Sequence, residues 1–493
     1  MKKTFSIVLL CLFNYSLYAQ LNTQTPEMVA DALSDAFATR KIDPVRSYLS
    51  QRFSVGAYNK PAAEGMLQGI LEKYTVDSLV LTGIETIDNK KRLQLHVIRN
   101  NKPAFTYAWL NDQNELLYVD LFDQLYGMNR YQPSVLKARI PFKLVNGSIV
   151  ITATLNDTDR PLQLLFDTGA DGMALRRSLA DSLGLTVSRE QNAAVVGGRM
   201  KIAISSGNTV HLDTLKLNNT NIALFEEIGH GYDGILGCTI ATSYITRVDF
   251  DKQVIELFGF GTYEHGKDGN MVEITFPSGI PIIPVSMKVG EKEVAGDFVF
   301  DSGANYYLIA FGAFVKKHLL LTNGFVPYFT GATVSMGHTT TTFTGNFPYM
   351  KWGNTGMQDF PGVLQAHNDR EENWVGSAGS FGIKSMRRYN FSIDLSKHII
   401  HFTPNKYYDL PADFVLGKLV FSFNSLQQLV IAQVGEPKLM ERFHEGDVVI
   451  SIDGIKAEQL AKQPNKITEL KSRSKKTYQL KLERNGRIDE EKL

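Results

Sequence analysis

The chain has 493 residues, 43% hydrophobic and 21% charged, with 52 basic against 51 acidic side chains. That composition excludes a mostly disordered, collagen-like or coiled-coil chain, and the balanced charge gives no argument for nucleic acid or an anionic membrane surface as a partner. Taken as roughly 150 residues per domain, the length predicts three or four domains. Two cysteines, Cys11 and Cys238, are too few for a disulfide scaffold or a multi-cysteine zinc site.

Residues 1–19 read as a secretory signal peptide. Lys2 and Lys3 give a positive start, Phe5 to Phe13 a short apolar stretch, and Ala19 a small residue at the cleavage point. The apolar stretch is too short to remain as a transmembrane helix. Bulky Leu9 and Leu10 before Cys11, and apolar Leu12 and Phe13 after it, argue against a lipid-anchoring cysteine. The mature protein is expected to be exported, periplasmic or extracellular, with one thiol and no transmembrane helix.

Residues 24–125 open with helical patterns. Met28, Ala32, Leu33 and Phe37 fall on one face, and Met66, Ile70 and Leu71 on another. Strand patterns follow at 78–82, 92–98, 104–109 and 115–121. Helices followed by a strand meander predict an α+β accessory domain, whose order loosely resembles the cone-shaped ketosteroid-isomerase-like fold.

Residues 135–405 are rich in short strands and contain an internal repeat. One copy reads Leu164-Leu165-Phe166-Asp167-Thr168-Gly169-Ala170, the other Phe298-Val299-Phe300-Asp301-Ser302-Gly303-Ala304. A strand pattern precedes each, at 149–155 and 282–288. A helix pattern follows each, over 175–185 and 311–321. An apolar-glycine segment then closes each copy, at Gly234-Ile235-Leu236-Gly237 and Gly379-Ser380-Phe381-Gly382. A strand bearing Asp249 or Asp394 comes last. One such motif alone is an ordinary strand-to-turn junction, because Asp and Gly favour turns. Two copies with their parts in the same order are specific.

These motifs look like the paired active-site loops of aspartic proteases, and each copy resembles the bacterial retropepsin-like aspartyl protease family. The resemblance covers about 270 residues. It implies two β lobes fused in one chain, over 135–262 and 268–405, each giving one catalytic aspartate: Asp167 and Asp301. The residue types suit the chemistry. Two facing carboxylates cannot both ionise easily, so they share a proton. The charged member activates a water and the protonated member hydrogen-bonds the scissile carbonyl. Thr168 and Ser302 carry hydroxyls that can tie the loops together. Gly169 and Gly303 permit tight turns close to substrate, and Ala170 and Ala304 leave the cleft open. A flap is expected at Gly197 and Gly198, with Gly337 as its counterpart in the second lobe; both also suit plain hairpin turns. Asn305 stands where the first copy has Asp171, and Ser380 where a branched apolar residue is usual. These departures predict a looser second lobe.

Residues 408–493 resemble a PDZ domain. Glu445-Gly446-Asp447-Val448-Val449-Ile450-Ser451-Ile452-Asp453-Gly454 carries the likeness, with strand patterns at 429–434 and 478–484 and a helix pattern over 436–443. The resemblance implies that Leu416, Gly417 and Leu419 accept a C-terminal peptide by strand addition.

No metal-binding helix motif or nucleotide loop occurs, so no metal and no cofactor is expected. A serine-protease reading with Ser302 as nucleophile lacks the glycine after Gly303 and evident His and Asp partners. The expectation is a mainly β, monomeric aspartic endopeptidase: two acid-protease lobes, preceded by the α+β domain and followed by a PDZ-like domain. Two alternatives stay open. The cleft and PDZ-like domain could capture peptides without cutting them, or the outer domains could serve as a scaffold.

Overall fold

The computed structural model describes residues 24–195, 198–229, 231–335, 338–367, 377–473 and 477–493. The signal-peptide segment, Gly197 and Gly337 lie outside these residues. Among the described residues, no helix is long and apolar enough to cross a membrane. The chain forms two units, one of residues up to Ser50 with Leu71–Tyr118, the other of Gln51–Ile70 with Val119–Leu493.

In the first unit, helix α1 (Pro26–Thr39) packs on an antiparallel sheet of β1 (Ser78–Ile87), β2 (Lys90–Arg99), β3 (Lys102–Leu110) and β4 (Leu116–Val119). Thr25 caps α1 through its side chain, and Pro26 sits at the first turn, where a missing N–H costs nothing. The buried stripe of α1 is Val29, Leu33, Ala36 and Phe37, while Met28 is exposed. Met28 therefore falls outside the expected face, one position off the i, i+4, i+7 series that starts at Val29. The strand expected to reach Leu121 ends at Val119, where a short helix begins.

Residues 51–70, expected within the α+β domain, cluster with the second unit. Asn59 exchanges hydrogen bonds with Phe276: its N–H donates to the Phe276 carbonyl, and its side-chain oxygen accepts from the Phe276 N–H. Tyr58 packs on the Phe276 ring, and Arg52 pairs with Glu273.

The second unit repeats one topology. In the first lobe the strands are β5 (Leu136–Val145), β6 (Ser148–Leu155), β7 (Leu162–Asp167), β8 (Met173–Arg176), β9 (Arg189–Val195), β10 (Gly198–Leu212), β11 (Leu215–Phe225), β12 (Gly234–Gly237), β13 (Tyr244–Asp249) and β14 (Val254–Gly259). In the second they are β15 (Asn270–Glu273), β16 (Ile282–Val289), β17 (Lys292–Asp301), β18 (Leu308–Ala310), β19 (Pro327–Ser335), β20 (His338–Trp352), β21 (Thr355–Gln365), β22 (Gly379–Gly382), β23 (Tyr389–Asp394) and β24 (Ile399–Pro404). The hydrogen-bonded order is β6-β7-β12-β8-β11-β10-β9 in one lobe and β16-β17-β22-β18-β21-β20-β19 in the other. In both, the long hairpin strand turns back onto the first strand, β10 on β6 and β20 on β16.

The lobes share a sheet ordered β5-β14-β13-β23-β24-β15, joined at its centre by Thr246↔Ile393, Arg247↔Ser392 and Val248↔Phe391. In β5, buried Ala138, Ile140 and Phe142 alternate with exposed residues, as a strand covered on one face requires. Strands β12 and β22 are buried throughout, as central strands are. One apolar core runs through both lobes, from Phe166 and Phe250 to Phe300, Phe391 and Phe402. The helices expected over 175–185 and 311–321 are shorter, at Arg177–Ser182 and Gly312–His318: β8 takes Leu175 and Arg176, and the backbone turns left-handed at Gly184 and Leu319.

The C-terminal part is a sheet of β25 (Phe414–Leu416), β26 (Leu419–Phe423), β27 (Leu429–Val434), β28 (Val448–Ile452), β29 (Gln479–Arg484) and β30 (Arg487–Lys492), paired in that order. Helix α2 (Asn465–Ser472) packs beside β25. The helix expected over 436–443 is only a turn at Pro437–Leu439.

Candidate active site

Two strands deliver the site. β7 and β17 close on the buried apolar runs Leu164–Phe166 and Phe298–Phe300 and end on Asp167 and Asp301. Each is flanked by its parallel partner, β12 or β22, so neither strand end moves independently. The structure brings both aspartates and both following loops together at the floor of one cleft.

The loops are tied by four hydrogen bonds. The Thr168 N–H donates to Ser302 Oγ at 2.9 Å, and the Thr168 hydroxyl to the Phe300 carbonyl at 2.5 Å. Reciprocally, the Ser302 N–H donates to Thr168 Oγ1 at 3.0 Å, and the Ser302 hydroxyl to the Phe166 carbonyl at 2.7 Å. Both side chains are buried, so each bond has a desolvated alternative and holds the loops firmly. Ser302 is thereby fully occupied as a tie, which argues against its use as a nucleophile.

Glycine is required where the loops cross. A Cβ on Gly169 would lie 2.6 Å from Asp301 Cγ, and one on Gly303 would lie 2.4 Å from Asp167 Cγ. The Gly169 N–H donates to Asp167 Oδ1 at 2.9 Å. The N–H groups of Gly303 and Ala304 donate to Asp301 Oδ1 at 3.1 and 3.0 Å. Behind the loops, Gly237 and Gly382 pass so close to the carbonyls of Ala170 and Ala304 that no side chain fits. The next N–H groups, from Cys238 and Ile383, donate to those same carbonyls.

Both carboxyls are held above the ordinary carboxylate range. Burial is the main cause for each, and for Asp167 the neighbouring Asp301 charge adds to it. The pair titrates as a unit. Such a pair keeps one proton while the other carboxylate is charged, which provides an acid and a base within one site.

A cavity of about 410 Å³ opens over the pair. Its wall on the first lobe joins apolar Ala174, Val195, Ile202, Phe225 and Ile235 to polar Asp171, Gln191 and Asn192. Val195 comes from the β9–β10 hairpin, and Ser335 of the β19–β20 hairpin reaches the same cavity. Gly198, which begins β10, lies against His338, which begins β20. Both lobes therefore extend a hairpin toward the cleft. Gly197 and Gly337, expected in the flaps, are outside the described residues.

In the sequence, Ser380 predicts a looser second copy. The structure places it on β22, 2% exposed, in register with Val299 and Ile309, and its hydroxyl works against burial to lower the Asp301 pKa. Asn305 donates to the Asn146 carbonyl and is exposed. A Ser–His–Asp arrangement also occurs: His265 bridges Ser392 at 3.1 Å and Asp394 at 3.2 Å. Ser392 is 4% exposed, and the rings of Tyr263 and His401 cover the imidazole, so this is a buried polar network.

Leu416, Gly417 and Leu419 do not frame an open loop. Gly417 and Lys418, both with positive φ, make a two-residue turn, and β25 pairs with β26 through Phe414↔Phe421, Val415↔Val420 and Leu416↔Leu419. The edge of β26 that an added peptide strand would use is already taken. Asp413, just before β25, accepts from the Tyr307 hydroxyl at 2.9 Å and from Lys384 at 2.6 Å. That anchors the strand to the second lobe.

Among the described residues, no cluster of His, Cys, Asp and Glu suited to a metal ion occurs. The family model described as aspartyl protease matches residues 151–240, the stretch from β6 to just past β12. Among solved structures, the chain is similar to the aspartic proteinase from Irpex lacteus, at 13% identity and a TM-score of 0.38, over 56% of this chain and 98% of that one. No curated protein matches the sequence. The fold is mainly β.

Proposed function

We propose that the protein is an exported aspartic endopeptidase in which Asp167 and Asp301 act as one acid–base pair. The observation that carries this reading is the reciprocal tie of Thr168 and Ser302, which supports two carboxyls facing each other beneath one cavity. The charged carboxylate takes a proton from water as the oxygen attacks the peptide carbonyl. The protonated carboxyl gives its proton to the carbonyl oxygen, forming a neutral tetrahedral diol. Collapse breaks the C–N bond. The leaving nitrogen takes the proton won from water, and the diol hydroxyl returns one to the other aspartate. The pair ends as it began, with one proton. Export rests on the pattern of residues 1–19.

The test is digestion of a mixed peptide library by the mature protein from about pH 3 to about pH 8, read by mass spectrometry. Cleavage products with a consistent pattern of flanking residues are the expected outcome. Intact peptides at every pH, with saturable binding in the same cavity, would instead mark a peptide-capturing protein.

A further inference from the structure

The two lobes share a topology, yet they treat their aspartates differently. On β12, the residue two before the closing Gly237 is Ile235; on β22, the residue two before Gly382 is Ser380. The registers match, Ile235 beside Leu165 and Ala174, and Ser380 beside Val299 and Ile309. Ile235 completes an apolar cluster with Val195, Ile202 and Phe225. Ser380, equally buried, brings a hydroxyl to the Asp301 carboxylate.

The backbone adds to the inequality. The Ala170 and Ala304 N–H groups both donate to the main-chain carbonyl of their aspartate, at 3.2 and 3.3 Å, but only the Ala304 N–H also reaches the side chain, Asp301 Oδ1 at 3.0 Å. The Gly303 N–H faces both carboxylates. Asp301 thus has donors from Gly303, Ala304 and Ser380, and Asp167 from Gly169 and Gly303. Donors of this kind stabilise a carboxylate and disfavour its protonated form.

We infer that Ser380 is a positioning residue that makes Asp301 the charged base and leaves the shared proton on Asp167. This rests on the paired-carboxylate reading above. The other titratable groups near the pair are the Tyr306 phenol by Asp301, the Cys238 thiol by Asp167, and Asp171 in the cavity wall. Burial keeps the phenol and thiol protonated and raises Asp171, so none supplies a positive charge to choose between the two aspartates.

The experiment titrates the carboxyl carbons of the full mature chain by NMR with labelled aspartate, in wild type, Ser380→Ala and Ser380→Thr. Losing one hydrogen bond to a charged group should raise the lower midpoint of the pair by about one pH unit in Ser380→Ala. Ser380→Thr, which keeps the hydroxyl, should restore it. The acid limb of kcat/KM should move with the midpoint. An unchanged midpoint in Ser380→Ala, or one that Thr fails to restore, overturns the inference. The NMR titration does not require turnover, so a chain that titrates as described but never cleaves would refute the protease reading alone.

Discussion

Thr168 and Ser302 show how much a single buried hydroxyl can hold. Thr168→Val keeps the shape but leaves the Ser302 N–H and the Phe300 carbonyl without their partner. An unsatisfied buried group costs about 1–3 kcal/mol, so urea unfolding should show a loss of at least about 1 kcal/mol, and kcat should fall more than KM rises. The aspartates act on stability in the opposite sense. Their native carboxyls are raised, so the folded chain binds more protons than the unfolded one, and stability falls as pH rises from the ordinary carboxylate range through the raised values. Asp301→Asn removes one ionisation and should melt above wild type at neutral pH, with the difference closing near about pH 3. Calorimetry at the two pH values checks the sign. Residues of this kind were legible in the sequence because the chemistry dictates their types: a carboxyl, a hydroxyl to tie it, and a glycine where nothing else fits. Ser380 was not, because its meaning lies in a register with Val299 that only the parallel pairing of β22 creates.

At the scale of elements, strand patterns located most of the sheet but not its partners. The three-residue β25 is too short for any periodicity, and it alters what the C-terminal part can do. Its Phe414 and Leu416 are buried, and α2 lies beside it. A synthetic peptide copying Asp409 to Leu416 with a free carboxylate should therefore show no saturable binding to the full chain by fluorescence anisotropy. Tight binding would mean that β25 leaves its place. The segment around Asn59 was misplaced for a similar reason. Its hydrogen bonds reach Phe276 across 217 positions, beyond any local signal.

Over the whole second unit, the shared sheet and core make the two lobes one folding unit. Phe391 on β23 touches Phe250 of the first lobe and Phe300 of the second. Phe391→Ala should cost about 3–5 kcal/mol and lower the melting of both lobes together, seen as one transition by probes placed in each. Two separated transitions would show that the lobes fold apart. The duplication itself was legible, since the repeated motifs and their closures imply two similar halves; the joining pair β13–β23 was not, because neither strand carries a mark of its partner.

The paired-carboxylate mechanism is tested most directly by comparing Asp167→Asn, Asp301→Asn and the double variant on one cleavable peptide. Groups that work as a unit are non-additive, so each single variant should lose as much kcat/KM as the double. A single variant retaining substantial turnover, or losses that simply multiply, would contradict a shared acid–base pair.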